Sequence, residues 1–176
     1  EELPRLKPTE PKDAPKTFTV QPGYSVELVA SEPLIADPVD MAFDEQGRLW
    51  VAEMIDYPFG DKEGNPPQGR IVVLEDGNND GIYDSARTIA DRLRWVTGLA
   101  LWEGGAYVVS PPDLFYVKEG RKDLIYTGLG TQNVQGLANC PRWGPDGWLY
   151  VSGGTNGGRI GELSLNGRSF RFKPGG

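Results

Sequence analysis

Three stretches decide the fold: Val39-Asp40-Met41-Ala42-Phe43/Asp44-Glu45-Gln46-Gly47/Arg48-Leu49-Trp50-Val51-Ala52, Gly98-Leu99-Ala100-Leu101-Trp102/Glu103-Gly104-Gly105/Ala106-Tyr107-Val108-Val109, and Leu137-Ala138-Asn139-Cys140-Pro141-Arg142-Trp143/Gly144-Pro145-Asp146-Gly147/Trp148-Leu149-Tyr150-Val151. Each reads as strand, tight polar turn, strand. Apolar and β-branched residues flank a short turn whose glycine supplies the positive φ that a hairpin needs. Taking Gly47, Gly105 and Gly147 as the turn glycines, the intervals are 58 and 42 residues. Propeller blades of roughly 40–50 residues, one carrying an insertion, have that period.

Two further strands follow each hairpin. They are expected at Gly69–Glu75 and Ser85–Ala90, at Asp113–Lys118 and Lys122–Tyr126, and at Gly158–Leu165 and Arg168–Lys173. The fold class is therefore all-β, a partial β-propeller of about three four-stranded blades. Three blades leave two open edges, whereas closed propellers have typically 4–8 blades. The chain is thus expected to be part of a longer propeller or to close by self-association. Tyr24–Ala30 alternates as a half-buried strand would, and is expected to help close the ring. Residues 1–20 carry Pro4, Pro8, Pro11 and Pro15 among charges and read as an extended, solvated leader or linker, with the propeller beginning at residue 21.

Composition agrees with this reading. The 176 residues include 24 Gly and 15 Pro, as an all-β chain with many turns requires. Five Trp, seven Tyr and six Phe supply a core and argue against disorder. The net charge of −7 argues against a nucleic-acid partner. No run of 18 apolar residues offers a membrane-spanning helix. The chain begins at Glu1 rather than Met, as it would had a leader been cut away. The single cysteine, Cys140, forms no internal disulfide and is expected to be a small buried apolar group. There is no histidine, which excludes a Ser-His-Asp triad, a Cys-His pair and a His-liganded zinc within these residues. Acid–base work here falls to Asp, Glu, Lys, Tyr or Cys.

Two regions can carry chemistry. Asp76-Gly77-Asn78-Asn79-Asp80-Gly81-Ile82-Tyr83-Asp84 matches D-x-[DN]-x-D-G-x-x-D. Side-chain oxygens of Asp76, Asn78 and Asp80, the Ile82 carbonyl and Asp84 suit Ca²⁺, with Gly81 allowing the sharp turn. Position twelve is Arg87, so this is not an EF-hand loop, and the same residue types also make ordinary metal-free turns. The second region is one rim of the propeller, formed by loops that enter innermost strands and leave second strands. It includes Glu53, Asp56, Tyr57, Trp95, Thr97, Pro111, Pro112, Asp113, Gln132, Asn133, Gln135, Thr155 and Asn156. Amides, carboxylates and aromatics together suit a polar ring such as a sugar or quinone. Gly153-Gly154-Thr155-Asn156-Gly157-Gly158 lacks the Lys-Ser/Thr of a phosphate loop and reads as an inter-strand loop.

Several blocks together resemble a known family. They are Gly23–Pro33, Phe43–Met54, Asp56-Tyr57-Pro58, Gly69–Asp76 and Trp143–Tyr150. They are similar to the membrane-bound-dehydrogenase β-propellers of large exported bacterial proteins, the PVC-type proteins, themselves related to sorbosone and soluble glucose dehydrogenase propellers. The resemblance covers about residues 21–175. It implies the first half of a six-bladed propeller and a periplasmic, secreted or cell-surface location. It also implies downstream domains such as a cytochrome c module, and pyrroloquinoline quinone as cofactor for oxidising a hydroxyl or aldehyde group of a carbohydrate or small alcohol.

The sequence departs from the family where the chemistry would lie. Relatives carry a His-containing segment shortly before the Trp-Gly-Pro-Asp-Gly hairpin. Here that segment is Gln132–Asn139, in which Asn139 matches the family's Asn and Gly136 falls where the His would be. Gly154-Thr155 stands where relatives have Gly-Asp. Two expectations follow. Either another carboxylate is the base, with Glu53 first in line, or a calcium-stabilised propeller binds carbohydrate or a protein partner without catalysis. The ligand-binding set is then Asp56, Tyr57, Trp95, Gln132, Asn133, Gln135, Asn139 and Asn156.

Overall fold

In the computed structural model, which describes residues 7–59 and 66–175, the chain is all-β and forms a partial β-propeller. Each sheet begins with the hairpin that the repeat predicts. The first sheet is β1 (Pro38–Phe43), β2 (Leu49–Glu53), β3 (Gly69–Glu75) and β4 (Ser85–Leu93), antiparallel and in sequence order. The second repeats it with β5 (Gly98–Trp102), β6 (Gly105–Ser110), β7 (Asp113–Lys118) and β8 (Arg121–Thr127).

The third sheet departs from expectation. β9 (Asn139–Trp143) and β10 (Leu149–Ser152) form the hairpin, but residues 158–165 do not add a third strand. They make a separate two-stranded hairpin, β11 (Arg159–Ile160) and β12 (Leu163–Ser164), and β13 (Phe170–Phe172) pairs directly with β10. Gly157, Gly158 and Gly161 all have positive φ, so this stretch turns too often to run alongside β10.

Side chains point alternately to the two faces of each sheet, and apolar faces meet between neighbouring sheets. Ile71, Val73, Ile89 and Leu93 of the first sheet pack with Val96, Leu99, Ala106, Val108 and Val117. Val109, Leu114 and Tyr107 of the second pack with Leu149, Val151, Phe170 and Phe172 of the third. Here Tyr107 meets Phe172 and Tyr126 meets Phe170 edge to face. Burying each such aliphatic side chain stabilises the fold by about 1.5–3 kcal/mol.

The innermost strands β1, β5 and β9 lie side by side and are tied by one carboxylate. Asp40 Oδ2 accepts the Leu99 N–H at 3.0 Å and an Arg142 guanidinium N–H at 3.0 Å, while Oδ1 accepts a second Arg142 N–H at 2.8 Å. One residue of the first sheet thus holds the second and third. Gly98 is required beside it, because a Cβ there would lie 2.6 Å from the Pro141 ring and 3.0 Å from Asp40 Oδ2.

Other expectations need correction. Tyr24–Ala30 forms no strand, and Tyr24 is 73% exposed. Alternation alone is not enough when no ladder partner lies alongside. Val29 only accepts the Tyr83 N–H, and Ala30, Leu34 and Ile35 cap the outer face of the first sheet over Leu49, Val51, Val72 and Leu74. Within the expected leader, Pro11–Thr17 is an exposed 3-10 helix rather than extended chain, and residues 1–6 lie outside the described residues. In the second hairpin the positive φ belongs to Glu103 and Gly104, not Gly105, which opens β6. Cys140 is exposed, because it sits at a bulge in β9 where φ is +52° and the side chain is turned out of the sheet's buried face.

Asp44 closes the first hairpin. Its Oδ1 accepts the backbone N–H groups of Gln46 and Arg48, and its Oδ2 accepts the Arg48 guanidinium and the Trp50 indole N–H. Burial pushes this carboxyl up, but the Trp50 and Arg48 side-chain bonds and the two backbone bonds outweigh it, so the group sits below its ordinary 3.8. A carboxyl depressed in the folded state stabilises above its unfolded value and loses that contribution as pH falls through the folded value. Asp44→Asn should therefore lower the urea midpoint at neutral pH and flatten the loss of stability below about pH 4. Asp40→Ala should cost about 1–3 kcal/mol, because it leaves the Leu99 N–H without its acceptor and the Arg142 guanidinium without its ion-pair partner. The denaturant midpoint should fall with little change in slope; an unchanged midpoint would show that the axial tie carries no stability.

Candidate functional site

Hydrogen bonds join several of the loops singled out by sequence. Asp56, only 6% exposed, accepts the Trp95 N–H through Oδ2 at 3.1 Å, and Ser110 Oγ donates to the Arg94 carbonyl at 2.6 Å. Thr97 Oγ1 donates to the Ala138 carbonyl at 2.6 Å. Gly128 and Leu129 N–H groups bond the Pro112 carbonyl. Asn156 accepts the Asn133 N–H through Oδ1 and donates through Nδ2 to the carbonyls of Asn133 (2.7 Å) and Gly130 (3.3 Å). Adjacent loops are thus fastened mostly by side chains bonding to backbone, a pattern that fixes loop shape without a ladder.

The expected site residues divide into two groups. Glu53, Asp56, Tyr57 and Trp95 stand at the first sheet. Glu53 is fully buried: it accepts the Ala36 N–H at 2.8 Å and pairs with the Arg70 guanidinium, its register partner across β2 and β3. Both oxygens are therefore engaged in holding the segment that leads into β1. Asp56 Oδ1 and Trp95 Nε1 are buried without a hydrogen-bond partner. Tyr57 is half exposed and borders an apolar hollow with Asp37, Pro38, Val39 and Met54.

The second group stands at the third sheet. Gln135, Asn139 and Thr155 line a polar cleft of about 430 Å³ together with Ser152, Arg168 and the backbone of Gly136, Gly153 and Gly154. Gly154 has φ +63°, and a Cβ there would collide with the Gly136 carbonyl oxygen and lie 2.5 Å from that of Leu137, so this position admits no side chain without a backbone shift. Asn139 Nδ2 is held by the Leu137 carbonyl at 2.9 Å. Asn133 Oδ1 accepts the Gln135 N–H and starts a one-turn 3-10 helix, Val134–Gly136, that presents the Gln135 side chain. Gln132 is exposed beside Asn133. Sequence reading missed Ser152 and Arg168, since it placed Arg168 at the start of a strand. The turn-forming run Asn166-Gly167-Arg168-Ser169 was the available signal.

The Asp76–Asp84 loop stands apart from both, beyond the outer end of β3. Asp76 accepts the N–H groups of Asp80 (3.2 Å) and Gly81 (2.8 Å), and Asn78 Oδ1 that of Asp80 (2.9 Å). Asp80 Oδ1 accepts the Ile82 N–H and Asp84 Oδ2 the Gly77 N–H. The Gly81 N–H above all, with those of Asn79, Asp80 and Asn78, holds the Asp76 carboxyl below its ordinary value against the opposing effect of desolvation. The oxygens predicted to meet a cation serve the loop's own N–H groups here, and among the described residues no three His, Cys, Asp or Glu side chains converge as a metal-holding group. Among the described residues no helix is long and apolar enough to cross a membrane.

No curated protein and no solved structure matches this chain. A family does: the domain of unknown function DUF7133 matches residues 10–176, which takes in all three sheets and both groups of rim residues. The chain belongs to the DUF7133 family.

Proposed function

We propose that this segment contributes a carbohydrate-binding rim to a propeller of an exported protein, with the cleft between residues 135–139, 152–155 and 167–169 as the sugar site. One observation carries the reading: the cleft is lined by amides, hydroxyls, backbone and a single arginine, with no carboxylate and no aromatic ring among its lining residues. Such donors and acceptors around a shallow floor suit the hydroxyls of a sugar ring. Glu53 is engaged by Arg70 and the Ala36 N–H, so a role as base requires breaking a buried ion pair.

A second reading rests on the sequence blocks similar to PVC-type dehydrogenase propellers. In it the rim serves a pyrroloquinoline quinone-dependent oxidation of a carbohydrate or small alcohol, feeding a cytochrome c module elsewhere in the protein. The quinone supplies the hydride acceptor when bound, and the protein orients both partners. The quinone bears three carboxylates, and the cleft lining offers one cation, Arg168, and no base. Further cations and the proton acceptor would have to come from other parts of the ring.

Calcium at Asp76, Asn78, Asp80, Ile82 and Asp84 belongs to the same proposal as a brace between β3 and β4. Three carboxylates and an amide oxygen are the right chemistry for a hard cation, which would take over oxygens now bonded to N–H groups.

Full-length protein titrated with neutral monosaccharides and disaccharides should show saturable binding, weakened about tenfold by Gln135→Ala or Thr155→Ala. No saturable binding of any sugar at millimolar concentration would end the carbohydrate reading. Titration with pyrroloquinoline quinone decides the second: no binding at high micromolar concentration would remove it. Calcium should raise the melting temperature of the wild type and not of Asp80→Ala; an equal rise in both would place the ion elsewhere.

A further inference from the structure

Most arginines with a described ion pair serve the fold: Arg48 with Asp44, Arg70 with Glu53, Arg142 with Asp40 and Arg171 with Asp146. Arg168 does not. Its backbone N–H bonds the Leu165 carbonyl and fixes the turn before β13, while its exposed guanidinium has no hydrogen-bond or ion-pair partner among the described residues. It lines the same cleft as Gln135, Asn139, Ser152 and Thr155, where no carboxylate offsets it. In a chain of net charge −7, a cleft whose one charged group is a free cation is a local reversal of sign. A planar guanidinium presents paired N–H donors that match a carboxylate.

From this we infer that the cleft selects an acidic sugar, a uronic acid residue whose carboxylate pairs with Arg168 while Gln135, Asn139, Ser152 and Thr155 meet its hydroxyls. The inference rests on the carbohydrate reading above and narrows its ligand class. Arg168 is a specificity residue here. It stands on an exposed turn, so replacing it leaves both the interior packing and the Leu165 backbone bond in place.

The test uses the full-length protein and paired probes: glucuronate and galacturonate against glucose and galactose, by calorimetry. The uronates should bind about tenfold more tightly than their neutral counterparts, the scale of one charge-assisted pair in an open cleft. Raising salt should shrink that preference, because an exposed pair is screened. Arg168→Gln should abolish the preference, and Arg168→Lys should restore part of it. Equal binding of uronates and neutral sugars by the wild type would overturn the inference and leave the carbohydrate reading standing. A preference that survives Arg168→Gln would also overturn it. Failure of every probe to bind would overturn both.

Discussion

A four-stranded sheet with two apolar faces cannot stand in water alone, and this constraint organises the whole chain. The first sheet buries Ile71 and Val73 against Val108 and Leu99 of the second. The second buries Leu114 and Val109 against Val151 and Phe172 of the third. Stacking the sheets face to face sets their innermost strands side by side, and that in turn brings the loops at Trp95, Pro112, Asn133 and Asn156 within hydrogen-bonding reach of neighbouring loops. The position of the cleft is therefore a consequence of interior packing. The loops that line it are held by the scaffold and carry little of its stability.

The rim owes its shape to a different class of interaction. Thr97 to Ala138, Ser110 to Arg94 and Asn156 to Gly130 and Asn133 are all single side chains bonded to backbone of a neighbouring loop. They fix loop against loop where no strand pairing is available. Gly136 and Gly154 then allow two loops to approach until backbone meets backbone, which leaves the polar side chains of residues 135, 152 and 155 as the cleft wall.

What could be read from the residues was what local chemistry decides. Asp44-Glu45-Gln46-Gly47 and Gly144-Pro145-Asp146-Gly147 are turns in any context, and the strands around them follow from alternation. The third sheet was misjudged because residues 158–165 are short, polar and interrupted by glycine, and only tertiary space decides whether such a run pairs with β10 or folds on itself. Tyr24–Ala30 alternates as a strand does, but pairing needs a partner that alternation does not specify. At the site, Gln135, Asn139 and Thr155 were legible as polar loop residues. That Glu53 faces Arg70 was not, because the register of β2 on β3 depends on the loop between them.

The two outer faces of this three-sheet stack are unlike. On the first sheet, Val39, Met41 and Phe43 stand 47%, 64% and 65% exposed on the side away from the second sheet. On the third, the outward face carries Tyr150 and Arg171, with Arg171 bonded to Asp146 and stacked 4.7 Å above the Trp148 ring. One face ends in exposed hydrocarbon and the other in a guanidinium that already has its partners. Setting the two against the same surface would place charge against oil on one side. The stack therefore has a polarity, like a tile cut with a different joint on each side.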